Sequence, residues 1–277
     1  ERALEMIEEG EVGGLARQPF DLRRGPLYRA ALARVSQDEH VLVLVLHHII
    51  SDGWSLGVLL RDLVRLYRGE ELPALEVQYA DYAEWQRGWL RGERLQEQVE
   101  YWRQELEGAP GLALAVDRSR PAVQSYRGAS EAVILSPELW RKVQQVALAA
   151  GATPFMVLLA GYQVLLSRHA GQEDVSVGTP IAGRRREELE GVVGFFVNTL
   201  VMRGRLQGDP TFLEYVHRVR EAALGGYAHQ DVPFERLVEE LRPARDLSRS
   251  PLFQVLFALQ NTAQVEVSLP GLEVELE

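Results

Sequence analysis

Apolar positions along the first part of the chain follow the periods of strands and helices. Residues 27–35 and 40–48 have the pattern of two strands, joined by a polar turn at residues 36–39. The second strand is apolar at nearly every position, which predicts that both of its faces are buried. A helix is predicted from Trp54 to Tyr67, because its apolar side chains keep helical spacing at Leu56, Leu59, Leu60, Leu63 and Leu66.

A passage rich in glycine and proline divides the chain near its middle. A long polar helical stretch is predicted from about Ala80 to Leu106, and the passage follows it at residues 108–128. Such a passage is typical of a boundary between two lobes. We therefore predict an N-terminal lobe at residues 1–112 and a C-terminal lobe at residues 113–277.

The second half again alternates strands with helices. Three helix starts have capping residues, at Ser136-Pro137, Thr153-Pro154 and the capping box that begins at Thr211. The predicted strands are 131–136, 174–180, 194–206, 252–259 and 265–269. Both halves therefore mix the two kinds of element, in an order that predicts an α/β protein with two lobes.

Composition removes several classes of function. The 277 residues include no cysteine, which excludes disulfides, a thiolate nucleophile and a cysteine-ligated metal within the chain. A formal charge of −10 argues against a nucleic-acid surface. The longest apolar run, residues 41–46, is far shorter than the roughly 18 residues of a membrane span. We expect a cytoplasmic protein that binds neither nucleic acid nor membrane.

The two ends of the chain have the pattern of interrupted elements. Residues 1–10 resemble the tail of a helix, and residues 272–277 alternate like an unfinished strand. We therefore expect a segment of a longer domain, truncated at both ends.

The segment with the sharpest chemical pattern is LHHIISDGWS, at residues 46–55. His47 and His48 end a predicted strand, where neighbouring side chains point to opposite faces, so we do not expect them to bind one metal together. A neutral imidazole at a strand end can accept a proton near pH 7. The alternative is a core histidine bonded to backbone, with Asp52 serving only as the cap of the following helix.

The same segment contains a second motif, G-x-S-x-G, at Gly53 to Gly57. This string is typical of the nucleophile of α/β-hydrolases, with Ser55 as the candidate nucleophile. However, Ser55 lies well beyond the predicted strand, and the later histidines fall in or beside predicted helices. A serine hydrolase is therefore the weaker interpretation.

Four other segments have a structural interpretation when each is taken alone. They could be a helix start, a buried strand, a second helix start and a polar loop. Together with LHHIISDGWS, and in this order, they resemble the condensation domain of non-ribosomal peptide synthetases, in which the first segment matches the HHxxxDG motif. The four segments are YADYAEW (79–85), VGFFVNTLVMR (193–203), HQDVPFE (229–235) and RDLSRSPL (245–252).

The resemblance implies a fold and a reaction. The family fold has two lobes similar to chloramphenicol acetyltransferase, set in a V with a tunnel between them. The reaction joins an acyl or peptidyl thioester to an aminoacyl thioester as an amide. Upstream and downstream peptidyl carrier domains hold the two substrates on 4′-phosphopantetheine, an adenylation domain is adjacent, and no cofactor or metal is bound directly.

The resemblance also implies roles for individual residues. His48 is the catalytic histidine, as a base or as a group that positions the amine, and His47 faces the packing. Asp52 is structural and pairs with an arginine, for which Arg184 is the candidate. The Gly53 N–H can bind the oxyanion. Asn198 and Trp54 are candidates for the tunnel.

Three related functions remain as alternatives. An epimerisation domain has the same histidine motif, although residues 193–203 resemble the condensation version. A heterocyclisation domain is disfavoured, because aspartates would replace the histidines. A docking domain without catalysis would recruit carriers or tailoring enzymes, but such domains tend to have a damaged histidine motif, and this one is intact.

Overall fold

The structure, a computed structural model, describes residues 4–125, 127–243, 246–260 and 267–275. The contacts group these residues into two units. Unit 1 contains the described residues up to Ala83, the segment Arg184–Phe196 and the described residues after 261. Unit 2 contains the described residues of Glu84–Gly183 and Val197–Asn261. This division differs from the predicted boundary at residues 112 and 113, which stays a prediction for the lobes of the whole domain.

Unit 1 is built on a three-stranded sheet and one long helix. The sheet has the order β1-β2-β3, with β1 parallel to β2 and β2 antiparallel to β3. Tyr28 lies opposite Leu46. The two strands joined by a polar turn, as predicted for residues 27–48, are therefore present as a hairpin. The elements are β1 (Glu5–Glu8), α1 (Val12–Arg17), β2 (Tyr28–Arg34), β3 (His40–Leu46) and α2 (Gly53–Tyr67).

Two predictions for this unit are wrong. Glu5–Glu8 is a strand and not the tail of a helix, because its backbone pairs with β2 and this pairing overrides local propensity. The second strand is also not buried on both faces. Leu42 and Leu44 are 43% and 42% exposed, while Ala31 and Ala33 of β2 are fully buried.

The long helical stretch predicted from Ala80 to Leu106 is two helices. They are α3 (Tyr79–Trp89) and α4 (Gly92–Leu106). Gly92 has a φ of +57°, a left-handed conformation that breaks the helical path between them.

Unit 2 has four further helices and a second sheet. The helix starts predicted from capping residues are confirmed, since the side chains of Ser136, Thr153 and Thr211 accept hydrogen bonds from the first turns. The elements are α5 (Pro137–Ala149), α6 (Pro154–Ala170), β4 (Asp174–Ile181), β5 (Asn198–Arg205), α7 (Phe212–Ala228) and α8 (Phe234–Leu241).

The sheet of unit 2 is smaller than predicted. β4 and β5 pair antiparallel, with Asp174 opposite Arg205, and Leu256 adds an isolated bridge to Gly178. Residues 131–136 form no strand, and Ile134 is 94% exposed. Residues 252–259 contribute only the bridge, and the predicted strand at 265–269 lies partly outside the described residues.

The main core lies in unit 2, where α4 to α7 pack around β4 and β5. Within it lies a polar pair: Tyr215 Oη donates to Gln163 Oε1 at 2.9 Å, and Gln163 Nε2 donates to the Met202 carbonyl at 2.9 Å. Among the described residues no single helix is long and apolar enough to cross a membrane. The pair α5 and α6, bent by 105°, has the length and apolar composition of a bent span only when the two helices are taken together.

The polar pair of Tyr215 and Gln163 explains why position 204 in β5 is a glycine. A Cβ atom at Gly204 would overlap Tyr215 Oη and would lie 2.7 Å from Gln163 Cδ. Gly204→Ala is therefore expected to lower the free energy of unfolding by about 1–3 kcal/mol, as overpacked cores do. Urea unfolding measures the change. The matched control is Gly161→Ala in α6, where a Cβ meets open space and the helix should gain about 0.5–1 kcal/mol. Equal effects of the two substitutions would contradict this account of the core.

Candidate functional site

The two histidines lie just beyond β3. The strand ends at Leu46, His47 follows it in extended conformation, and His48 begins a 3-10 turn, His48–Ile50. The strand argument for opposite faces therefore does not apply here. The two rings nevertheless have different neighbours: His47 packs edge-on against Phe20, at 5.8 Å between ring centroids, and His48 packs edge-on against Phe195, at 5.2 Å.

The hydrogen bonds of the two rings place their protons on different nitrogens. Nδ1 of His47 accepts from the Ile49 N–H at 3.0 Å, so a neutral His47 has its proton on Nε2. Nδ1 of His48 lies 2.7 Å from the Ser51 carbonyl oxygen. A carbonyl can only accept, so Nδ1 of His48 must donate, and the neutral ring has its lone pair on Nε2. His48 is an exposed residue, and in this tautomer its Nε2 can accept a proton.

Asp52 is held at the start of α2 by four hydrogen bonds. Oδ1 accepts from the backbone N–H and the hydroxyl of Ser55, both at 2.8 Å, which makes Asp52 the cap of the helix. Oδ1 also lies 3.2 Å from Arg184 Nη2, and Oδ2 accepts from the Phe196 N–H at 3.0 Å. The side chains of Asp52 and Arg184 are 4% and 1% exposed, so the ion pair anticipated for Asp52 is present and buried.

Ser55 joins these groups and is not placed as a nucleophile. Its side chain is fully buried. Its oxygen accepts from Arg184 Nη2 at 2.8 Å and from the Gly194 N–H at 3.0 Å, and its proton faces Asp52 Oδ1 and the Gly194 carbonyl. No imidazole is among these partners, and a substrate has no access to a fully buried hydroxyl. The hydrolase interpretation is therefore wrong for this site.

Residues 187–196 contain one 3-10 turn, Glu187–Leu189, and otherwise lie outside helices and strands. Several of their backbone polar groups are satisfied by side chains instead of by a ladder. Arg184 Nη1 donates to the carbonyls of Leu189 and Val192. The indole of Trp54, the hydroxyl of Ser55 and the hydroxyl of Tyr79 donate to the carbonyls of Glu190, Gly194 and Phe195. The Phe196 N–H donates to the carboxylate of Asp52.

An aromatic cluster closes the same site. Tyr79 and Tyr82 pack on Phe196 at centroid distances of 5.1 and 4.8 Å, and the Arg184 guanidinium lies 4.0 Å from the centre of the Phe196 ring. Gly194 is required by this packing, because a Cβ atom there would overlap Tyr79 Cδ2. The segments YADYAEW and VGFF therefore meet at one place.

The charges of the buried pair are stabilised by their hydrogen bonds. Burial alone would raise the pKa of Asp52, but the bonds from Ser55 and Phe196 and the Arg184 charge bring the pKa below its usual value. Burial lowers the pKa of Arg184, and Asp52 opposes this effect. An arginine starts from a pKa so high that it stays charged in proteins, so both partners are ionised at neutral pH.

The remaining predicted site residues have defined places. Gly53 is the first residue of α2, where the N–H has no acceptor inside the helix. Trp54 donates its indole N–H to Glu190, as described above. Asn198 belongs to unit 2, where its Nδ2 donates to the carbonyls of Gln230 and Val232 and its Oδ1 accepts from backbone N–H groups. Its amide organises the turn before α8, and the tunnel roles of Asn198 and Trp54 stay predictions.

Sequence reasoning missed Tyr79, Gly194 and Phe195 as residues of the site, and it considered Ser55 only as a candidate nucleophile. These residues lie within the quoted motif segments, but each residue alone is typical of a helix or a buried strand. Of the segment RDLSRSPL, Arg245 lies outside the described residues, and Asp246 accepts from Ser248 in a local turn. Among the described residues, no group of three or more His, Asp or Glu side chains is arranged to hold a metal ion.

The buried ion pair of Asp52 and Arg184 predicts that Asp52→Asn strongly lowers the free energy of unfolding. The substitution leaves the Arg184 charge buried without a counter-charge, which typically costs about 3–5 kcal/mol. Denaturant unfolding of the purified variant measures this loss. The control is Glu138→Gln, which breaks the exposed pair with Lys142 and should cost at most about 1 kcal/mol. An Asp52→Asn protein as stable as the control would show that the pair is not a structural requirement.

The direction of the Asp52 pKa predicts how stability depends on pH. A carboxyl whose pKa is lower in the folded than in the unfolded state stabilises the fold above the unfolded pKa, about 3.9. This contribution is lost as the pH falls through the folded pKa of Asp52, because the protonated group no longer balances Arg184. The stability gap between the wild type and Asp52→Asn should therefore narrow below about pH 4. Unfolding curves at pH 7 and at stepwise lower pH measure the gap, and a gap that stays constant would contradict the prediction.

Comparison with known proteins agrees with this architecture. A family model described as the condensation domain matches residues 2–274. One of the linear gramicidin synthase subunits of Brevibacillus parabrevis is 54% identical over 262 residues, which are 92% of this chain but 5% of that protein. The chain thus spans a small part of the length of this curated relative.

Two solved structures are similar in fold. The X-domain from teicoplanin biosynthesis, solved in complex with OxyB, has a TM-score of 0.84 and 34% identity, covering 92% of this chain and 59% of that one. Holo-AB3403, a four-domain nonribosomal peptide synthetase bound to AMP and glycine, has a TM-score of 0.84 and 28% identity, covering 94% of this chain and 21% of that one. The predicted α/β class is confirmed, and the chain belongs to the condensation domain family.

Proposed function

We propose that this chain carries the catalytic centre of an amide-forming condensation domain. An acyl or peptidyl thioester on an upstream carrier is joined to an aminoacyl thioester on a downstream carrier. The observation that supports this most directly is the His48 ring, whose Nδ1 is held by the Ser51 carbonyl and whose Nε2 is available. The name of the relative, a linear gramicidin synthase, supports peptide synthesis as the context.

The chemistry requires one proton acceptor and one oxyanion partner. The amine nitrogen attacks the thioester carbonyl carbon, the C–N bond forms, and the C–S bond breaks. Nε2 of His48 hydrogen-bonds the amine and takes its proton, and the departing thiolate regains a proton as a thiol. The Gly53 N–H at the start of α2 is the proposed donor to the oxyanion, since the helix N-terminus favours negative charge there.

The other residues of the site support this centre without touching substrate. Asp52 and Arg184 are bonded to each other and to Ser55, so we assign both a structural role and expect His47 to be structural as well. No cofactor need bind the chain itself, because the reacting thioesters are carried on the 4′-phosphopantetheine of the carriers. The proposed partners are these two carriers and an adjacent adenylation domain, in line with the four-domain organisation of the similar synthetase.

The decisive variant is His48→Ala. Loss of a general base or positioning group typically costs about 10²–10⁴ in rate, so amide formation should fall by that factor while the fold is kept. The measurement uses the full protein that carries this chain, with both carriers loaded, and detects product on the downstream carrier by mass spectrometry. The control is His40→Ala, at the exposed start of β3, which should keep the wild-type rate. Wild-type condensation by His48→Ala would refute the assignment of His48.

A second candidate function, recruitment of a partner protein without catalysis, is favoured by one comparison. The similar X-domain was solved in complex with OxyB. The same assay separates the two functions. Carrier binding by the wild type without condensation for any tested pair of loaded carriers would favour recruitment, whereas product that disappears in His48→Ala would favour catalysis.

A further inference from the structure

Phe195 is the aromatic neighbour of His48 within unit 1. The two rings meet at a centroid distance of 5.2 Å and an interplanar angle of 88°, an edge-to-face arrangement that aromatic pairs prefer. The His48 ring also donates a hydrogen bond from Nδ1 to the Ser51 carbonyl. That bond fixes one ring atom but leaves the ring free to tilt about it. Phe195 supplies a second, independent point of contact.

The position of Phe195 is itself fixed from its backbone. The Tyr79 hydroxyl donates to the Phe195 carbonyl at 2.8 Å. On either side of this residue, Gly194 is bonded to Ser55 and Phe196 to Asp52. Burial and the Asp52 charge raise the pKa of Tyr79, which keeps its hydroxyl protonated as a donor. Phe195 is therefore held by three successive backbone attachments.

We propose that Phe195 is a positioning residue for His48, and that Tyr79 acts through it. The ring of Phe195 fixes the plane of the imidazole, and with it the direction of the Nε2 lone pair towards the attacking amine. This inference rests on the proposed function, because it assigns Phe195 a role in the same reaction. Phe195 touches the catalytic histidine and is not assigned a contact with substrate.

The test is Phe195→Leu, which keeps an apolar side chain and removes the ring. An edge-to-face aromatic contact favours one ring orientation over the others by roughly 2- to 10-fold. We therefore expect kcat to fall by about that factor, with KM unchanged. The matched control is Phe20→Leu, which removes the edge-on ring from the neighbouring His47 and should leave kcat at the wild-type value. Phe195→Tyr restores a ring and should restore kcat.

A second measurement reports on the imidazole without catalysis. Diethyl pyrocarbonate modifies unprotonated imidazole nitrogens, and mass spectrometry of the full protein gives the rate at each histidine. Loss of the Phe195 ring should raise the rate at His48 relative to exposed His40. A purely structural defect would raise the rates at several histidines together. Tyr79→Phe keeps its ring on Phe196 but loses the hydrogen bond to the Phe195 carbonyl. This variant should therefore also raise the labelling rate at His48.

The outcomes separate this inference from the proposed function. If His48→Ala is inactive while Phe195→Leu keeps the wild-type kcat and labelling rate, the role of Phe195 is overturned and the function stands. If His48→Ala condenses at the wild-type rate, the assignment of His48 fails, and the role of Phe195, which rests on it, is overturned with it. If the wild type condenses no tested pair of loaded carriers, the proposed function fails, and the labelling rates still test the contact between Phe195 and His48. If Phe195→Leu does not fold, Tyr79→Phe decides: unchanged kcat and labelling would overturn the inference, and a selective change at His48 would support it.

Discussion

The buried ion pair of Asp52 and Arg184 is the interaction on which the rest of the site depends. Two charges withdrawn from water are costly unless further hydrogen bonds offset the lost hydration. Here the carboxylate receives two bonds from Ser55 and one from the Phe196 N–H, besides the guanidinium. The guanidinium also bonds two carbonyls and lies against the Phe196 ring. This requirement joins two segments of the chain that are more than 100 residues apart.

The path of residues 187–196 follows from the same requirement. A helix would use its backbone groups internally, and a strand within a sheet would use them in the ladder with its neighbours, so few would remain for a buried pair. Here an irregular segment presents its carbonyls to Arg184, Trp54 and Tyr79, and its N–H groups to Ser55 and Asp52. A segment bonded at so many successive residues has little freedom, although it lacks regular structure. It can therefore hold a side chain against His48 as firmly as a helix would.

The sequence predicted those parts of the fold whose signal is local. Capping residues located α5, α6 and α7, and apolar spacing located α2 and the hairpin, because these features depend on neighbours within one turn or one strand pair. Residues 131–136 have the composition of a strand but no pairing partner in the described chain, so the strand predicted from composition alone does not form. The roles of Ser55 and Tyr79 could not be predicted, because a polar side chain on a helix is typical of a solvated face until its distant partner is known. The partner of Asp52 was anticipated only through a family resemblance.

The two histidines show why the chemistry of such a motif lies in the backbone around it. His47 and His48 have the same side chain and adjacent positions, yet one Nδ1 accepts from an N–H and the other donates to a carbonyl. These bonds arise because the chain leaves β3 and turns through His48–Ile50, which aims the Ser51 carbonyl back at His48. The turn must then continue into the helix capped by Asp52. The spacing between the second histidine and the aspartate is therefore a geometric requirement: it places a proton on Nδ1 of His48, leaves the lone pair of the neutral ring on Nε2, and starts the helix whose cap is part of the buried ion pair.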